Sequence, residues 1–262
     1  MAQPKAIILR TAGTNCDIES AFAAEMVGFQ VERVHINRVA SGDVRLDNYS
    51  FIFIPGGFSY GDDVAAGKIM ALELNKRLGD ALVRFEERGK LALGVCNGFQ
   101  ILIKTGLIPF RAKSPTDMRA TLNDNDSGKF EDRWVHLSVE SGTACIFTRN
   151  MKPRIELPVA NGEGKFLLKD HNDLRELETN GQVVLRYVSQ NGGDPAYPED
   201  PNGSMGHIAG VCNKQGTIFG LMPHPERFLH RTNHPRWTRE DVPEEGNGVG
   251  FFRNAFEYCS GM

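Results

Sequence analysis

The sequence predicts an α/β fold in three layers, a mostly parallel central sheet with helices on both faces, and three observations carry that prediction. Short apolar runs alternate with amphipathic stretches through the first hundred residues, the rhythm of parallel β/α units. The run KLALGV (90–95) is apolar almost throughout, as a strand buried on both faces must be. The tail GVGFFRNAFEYCS (248–260) sets Phe252, Ala255, Phe256 and Cys259 on one helical face, as suits a terminal helix docked on a sheet. With 262 residues, 40% of them hydrophobic, the chain can bury a core of that size as one domain spanning 1–262.

Taken in order, KAIILR (5–10) reads as the first strand. IESAFAAEMVG (18–28) reads as the helix after it, capped by Thr14 or Asn15 and closed by Gly28, with Ile18, Phe22 and Met26 recurring at fourfold spacing as a buried stripe would. VERVHI (31–36) and FIFIPGG (51–57) continue the strand rhythm, and a long helical pattern runs from about Gly67 to Gly89. After KLALGV, the segment NGFQILIKTG (97–106) returns to helical periodicity and stops at Gly106. From Phe110 to Arg133 the chain turns polar, so 113–133, like 230–246, is expected to be a surface insertion. WVHLSVE (134–140), IELPVA (155–160), VVLRYVS (183–189), GHIAGVC (206–212) and TIFGLM (217–222) read as strands, which makes the second half richer in β-structure.

Composition excludes several classes of function. A net charge of -3 with scattered Lys and Arg gives no basic footprint for nucleic acid. The N-terminal apolar run is too short for a signal or a membrane span, so the expected compartment is the cytoplasm. The five cysteines are odd in number, widely spaced and free of any CxxC pair, which opposes both a disulfide framework and a zinc site. Cys145 and Cys212 fall in apolar runs and read as core, while Cys16, beside Asp17 at a helix start, reads as a structural cap. His230 and His234 have i,i+4 spacing but no carboxylate or thiol partner in sequence, so they read as surface residues and no metal is expected.

The chemistry gathers around Gly94-Val95-Cys96-Asn97-Gly98, a nucleophile-elbow pattern with cysteine in the serine position, set between a strand and a helix as that motif requires. Glycines there let the chain turn without a β-carbon clash, so the sulfur stands above the strand end and the next backbone amide points at a developing oxyanion. A buried structural cysteine is the commoner fate of the residue, but the two glycines and the strand–helix context oppose it here. A cysteine nucleophile also needs a base and a group to orient that base. Met222-Pro223-His224-Pro225-Glu226-Arg227 offers both just after a strand, with His224 and Glu226 two apart on a locally extended stretch stiffened by prolines. Pro55-Gly56-Gly57 follows another strand and can bring a second amide donor to the same sheet edge. Neither GxxxxGK[ST] nor GxGxxG is present, so a phosphate-binding reading fails.

These residues resemble the class I (triad) glutamine amidotransferases, which carry a G-x-C-x-G elbow and a late H-x-E. GTNCD (13–17), PGGFSYGDD (55–63), GVCNGFQIL (94–102), NGEGKF (161–166), PNGSMGHIAGVCN (201–213) and GLMPHPER (220–227) extend the likeness over almost the whole chain, toward the glutaminase subunits of purine biosynthesis. The resemblance implies a flavodoxin-like fold, Cys96 as nucleophile, His224 as base and then acid, and Glu226 as its orienting carboxylate. It further implies amides of Gly57 and Asn97 as the oxyanion hole, with Gln100 holding the elbow or the glutamine. Ammonia would pass to a separate synthetase subunit that uses ATP and Mg to amidate formylglycinamide ribonucleotide, with a small accessory subunit completing the complex and no cofactor in this chain. The family often has histidine where this chain has Asn161, which leaves the role of that loop open. The elbow alone would also suit a free-standing cysteine hydrolase or peptidase. A catalytically dead scaffold would have no chemical reason to keep all three triad positions.

Overall fold

The computed structural model describes residues 3–59 and 67–262. Tyr60 to Asp63 of the PGGFSYGDD stretch therefore lie outside the described residues. The strands are β1 (Lys5–Arg10), β2 (Gln30–His35), β3 (Phe51–Ile54), β4 (Leu91–Val95), β5 (Ala120–Asn123), β6 (Glu131–Val139), β7 (Arg154–Asn161), β8 (Lys165–Leu168), β9 (Val183–Val188), β10 (Ile208–Cys212) and β11 (Ile218–Leu221). The central sheet has the order β2-β1-β3-β4-β11-β10-β9-β6-β7, while β5 and β8 form a separate pair. The portion from β2 to β11 is parallel, as the β/α rhythm predicts, and β10, β9, β6 and β7 extend it antiparallel. β3 and β4 are buried at every position, which explains their unbroken apolar runs.

Helices cover both faces, and two adjacent residues of β11 show it. Phe219 stacks on Phe251 of α6 (Val249–Ser260), whereas Gly220 faces Phe99 of α4 (Asn97–Lys104) on the other side. Phe53 stacks on Phe252, so α6 is docked on the sheet as its apolar face predicts. Burying each such phenylalanine contributes roughly 1.5–3 kcal/mol. The long helix α3 (Lys68–Glu87) packs beside α4, and α1 (Asp17–Met26) packs beside α6.

The expected stripe on α1 is not the buried one. Ile18, Phe22 and Met26 are 66%, 48% and 38% exposed, while Ser20, Ala21, Ala23 and Ala24 face inward. Small residues let this helix lie close to β1 and β2, and that close approach outweighs the apolar periodicity. Among the described residues, the helices α2 (Ile36–Ala40) and α5 (His171–Thr179) and the strands β5 and β8 escaped the sequence reading. β5 pairs antiparallel with β8, so the polar stretch 113–133 carries a strand whose Ala120 and Leu122 are buried. Within 230–246, His234 and Val242 are likewise buried. His234 is thus no surface residue: its Nε2 lies 3.2 Å from Glu156 Oε2 and its ring packs edge-on against Trp134. Among the described residues no helix is long and apolar enough to cross a membrane.

Candidate active site

β4 ends at Val95, and Cys96 follows with φ 53° and ψ -109°. A non-glycine residue holds such a conformation only when its surroundings impose it. The Cys96 amide donates to the Leu221 carbonyl of β11 at 2.8 Å, and the Cys96 carbonyl accepts from the Phe99 and Gln100 amides at 3.0 and 3.1 Å. Strand pairing on one side and the first turn of α4 on the other leave the cysteine no alternative. The strain therefore falls on Cys96 itself, while Gly94 and Gly98 supply space. A methyl group on Gly98 would sit 2.7 Å from the Ile54 carbonyl carbon and nearer still to its oxygen. One on Gly94 would sit 2.6 Å from Leu102 Cδ1.

His224 follows β11 and is anchored by its amide, which donates to the Pro158 carbonyl of β7 at 2.8 Å. Glu226 meets it through a 3-10 turn over Pro225–Arg227, not through the extended stretch that the prolines suggest. Its Oε1 lies 2.6 Å from His224 Nδ1, with both side chains buried. A carboxylate can only accept, so Nδ1 carries the proton of the neutral ring. Nε2 is left to act on the pocket, where it has no hydrogen-bond partner among the described residues. Burial, the largest influence on the ring, pushes its pKa down. The Glu226 charge, the neighbouring Cys16 and Cys96 thiols and the bond to Glu226 outweigh it, and the imidazole stands well above its usual 6.5.

The remaining predicted residues line or support the same cavity, about 440 Å³ in volume. Gly57, at φ 125°, bridges to Thr14, and a β-carbon on it would strike the Asn15 amide at 2.7 Å. Asn97 opens α4 and donates through Nδ2 to Gln100 Oε1 at 3.2 Å. Gln100 Nε2 donates to the Glu163 carbonyl at 2.6 Å, so this side chain ties the elbow helix to the 161–164 loop. β7, four strands from β11 in the sheet order, still reaches the site: the Cys96 thiol donates to the Ala160 carbonyl at 3.6 Å.

Sequence reasoning missed a second layer. Tyr187 Oη donates to Asn202 Oδ1 at 2.7 Å, and Asn202 Nδ2 donates to Asn161 Oδ1 at 2.7 Å. That chain holds the Asn161 amide, whose Nδ2 is unpartnered among the described residues, in the wall of the cavity. Cys16 was missed as well. It occupies the N-cap of α1 but makes no side-chain cap bond; instead Arg227 Nη2 donates to its Sγ at 3.1 Å. Its place just after β1, at the sheet edge where the elbow emerges, was the available signal. Cys16, His224 and Glu226 bring a thiol, an imidazole nitrogen and a carboxylate within 4.8 Å of one another. With Nδ1 committed to Glu226, the arrangement suits proton handling at a thiol.

Comparison with known proteins places the chain in a family. Residues 3–259 match the family model of the CobB/CobQ-like glutamine amidotransferase domain. The chain is 44% identical over 260 residues to a phosphoribosylformylglycinamidine synthase subunit PurQ of Dehalococcoides mccartyi, covering 99% of each chain. It is 38% identical to the subunit of that name from Methanococcus maripaludis, covering 97% of each. Among solved structures it resembles a chain of PurLQS from Thermotoga maritima, with a TM-score of 0.74, 34% identity and coverage of 98% of this chain and 99% of that one.

Proposed function

The chain belongs to the CobB/CobQ-like glutamine amidotransferase family and acts as the glutaminase subunit of a phosphoribosylformylglycinamidine synthase, and we propose that Cys96, His224 and Glu226 carry its chemistry. The observation that supports this reading most directly is Cys96, held at a positive φ above β4, sharing one cavity with a buried imidazole whose far nitrogen is fixed by a carboxylate.

The Cys96 sulfur gives its proton to His224 Nε2 and attacks the side-chain amide carbon of glutamine. The Asn97 and Gly57 amides stabilise the tetrahedral oxyanion. His224 returns the proton to the departing nitrogen, ammonia leaves, and a thioester remains on Cys96. Water activated by the now neutral His224 then releases glutamate. Glu226 keeps the ring in the productive tautomer throughout. Gln100 positions the 161–164 loop against the substrate.

The subunit works within a complex and delivers ammonia to a synthetase partner. In our reading that partner spends ATP, with Mg, on formylglycinamide ribonucleotide, a small accessory subunit joins them, and this chain needs no cofactor. Five free thiols fit the reducing interior of a cell, where we place the reaction. Treatment with a glutamine-analogue electrophile followed by peptide mass spectrometry tests the assignment. A single adduct on Cys96, blocked by glutamine, is expected, and an adduct elsewhere overturns it.

A further inference from the structure

The cavity contains a second thiol for which amide hydrolysis has no use. Cys16 is fully buried, and its Sγ is fixed between Arg227 Nη2 at 3.1 Å and Asn15 Oδ1 at 3.3 Å. Cys16, Cys96 and the His224 ring converge on the space beside Gly56, where a β-carbon would lie 2.9 Å from His224 Cε1. A side chain beginning there would lie 3.4 Å from Cys16 Sγ and 3.3 Å from Cys96 Cβ. Both thiols line the cavity that admits substrate, whereas Cys145, Cys212 and Cys259 are buried in the core and line no part of it.

We propose that Cys16 is a resolving thiol, which captures the oxidised nucleophile as a Cys16–Cys96 disulfide when a hydroperoxide enters the site. The inference rests on Cys96 being the reactive thiol. Cys96, its proton on His224, attacks the peroxide, the O–O bond breaks, and the sulfur becomes a sulfenic acid while the departing hydroxide or alkoxide takes that proton and leaves as water or alcohol. Cys16 then gives its proton to His224 and attacks the Cys96 sulfur, the S–O bond breaks, and the departing hydroxide takes that proton from His224 and leaves as water. The two thiols lose two electrons in all and the peroxide gains them. A dithiol reductant reverses the bond by exchange and returns both thiols. Without Cys16 the sulfenic acid is open to further peroxide and goes on to the irreversible sulfinic acid. Gly56 matters because a side chain there would crowd Cys16 Sγ, Cys96 Cβ and the His224 ring.

The test uses the full chain, hydrogen peroxide, and electrophile labelling of Cys96 before oxidation, after it, and after dithiothreitol. The expected result is a cross-linked pair of peptides carrying Cys16 and Cys96, lighter by two hydrogens, with labelling lost on oxidation and regained on reduction. In Cys16→Ser, Cys96 should end as sulfinic acid and labelling should stay lost. Cys96 sulfinic acid beside a free Cys16 in the unsubstituted chain overturns the proposal without recourse to the variant, as does equal recovery in Cys16→Ser. Failure of Cys96 to label before any oxidation removes the nucleophile assignment, and this inference with it.

Discussion

Replacing Gly98 by alanine sets local preference against tertiary contact at the point where the elbow is built. On helix propensity alone the change should stabilise α4 by about 1 kcal/mol. The new methyl group, however, would lie 2.7 Å from the Ile54 carbonyl carbon. Carbon atoms in contact prefer about 3.5–4.0 Å, so α4 must withdraw from β3 by about 1 Å. Overpacking of that kind costs about 1–3 kcal/mol, and backbone on both sides of the clash puts Gly98→Ala at the upper end. Against the propensity gain, the net loss is about 2 kcal/mol, or roughly 4–8 °C in melting temperature for a chain of this size. Withdrawal of α4 also carries Cys96 and the Asn97 amide off the reaction axis, and a misplacement of about 1 Å costs about a hundredfold in rate. Thermal unfolding and glutaminase turnover in the reconstituted complex measure the two effects. A variant that melts at or above the parent temperature and turns over normally would refute the claim that this glycine is held by contact.

Cys96→Ala should abolish glutamine-dependent synthesis by the complex while synthesis from free ammonium persists; loss of both activities would contradict a role confined to releasing ammonia. For His224, the folded pKa stands above the unfolded value near 6.5 because Glu226, with the Cys16 and Cys96 thiols, outweighs burial, the largest single influence. The stabilisation that follows is complete below the unfolded value and is lost as pH rises through the folded one. Glu226→Gln removes the raising charge, so the gap in melting temperature between parent and variant should be widest at mildly acidic to neutral pH and close in the alkaline range. A gap that widens with pH would reverse the assignment. Tyr187→Phe strands Asn202 Oδ1 in a buried site and should cost about 1–3 kcal/mol of stability. It should also raise the KM for glutamine by freeing the Asn161 amide; an unchanged KM would mean that Asn161 takes no part in binding.

Much of the parallel half was legible in the chain because each element there carries its own signal. β1 coincides with KAIILR, and α3 fills the span between Gly67 and Gly89. The elbow was legible for the same reason, since its strand, turn and helix are contiguous. What escaped depends on partners distant in sequence. β5 is too short and polar to declare itself and exists through its ladder with β8. α5 has few apolar residues to mark a period. Its start signal is the Asp170 carboxylate, which accepts from the Asn172 and Asp173 amides but is one acid among several in a polar stretch. Cys16 and Arg227 lie 211 positions apart, so nothing local tells that they meet. The α1 stripe failed for the opposite reason: a clear local period was overruled by a sheet surface that accepts only small residues.

The pairing of β4 with β11 divides the site into parts of unequal stiffness. Val95 is in register with Leu221, so Cys96 and His224 hang one and three residues beyond the same rung of a ladder. Their separation is a property of the sheet, indifferent to what docks outside. Gly57, Asn161 and Glu163 belong instead to strand ends and loops: Gly57 bridges to Thr14, Asn161 closes β7, and Glu163 accepts from Gln100. Any adjustment of the cavity therefore falls on the side of Gly57 and the 161–164 loop. The spacing of Cys96 from His224, set by the rung above them, stays as the sheet built it.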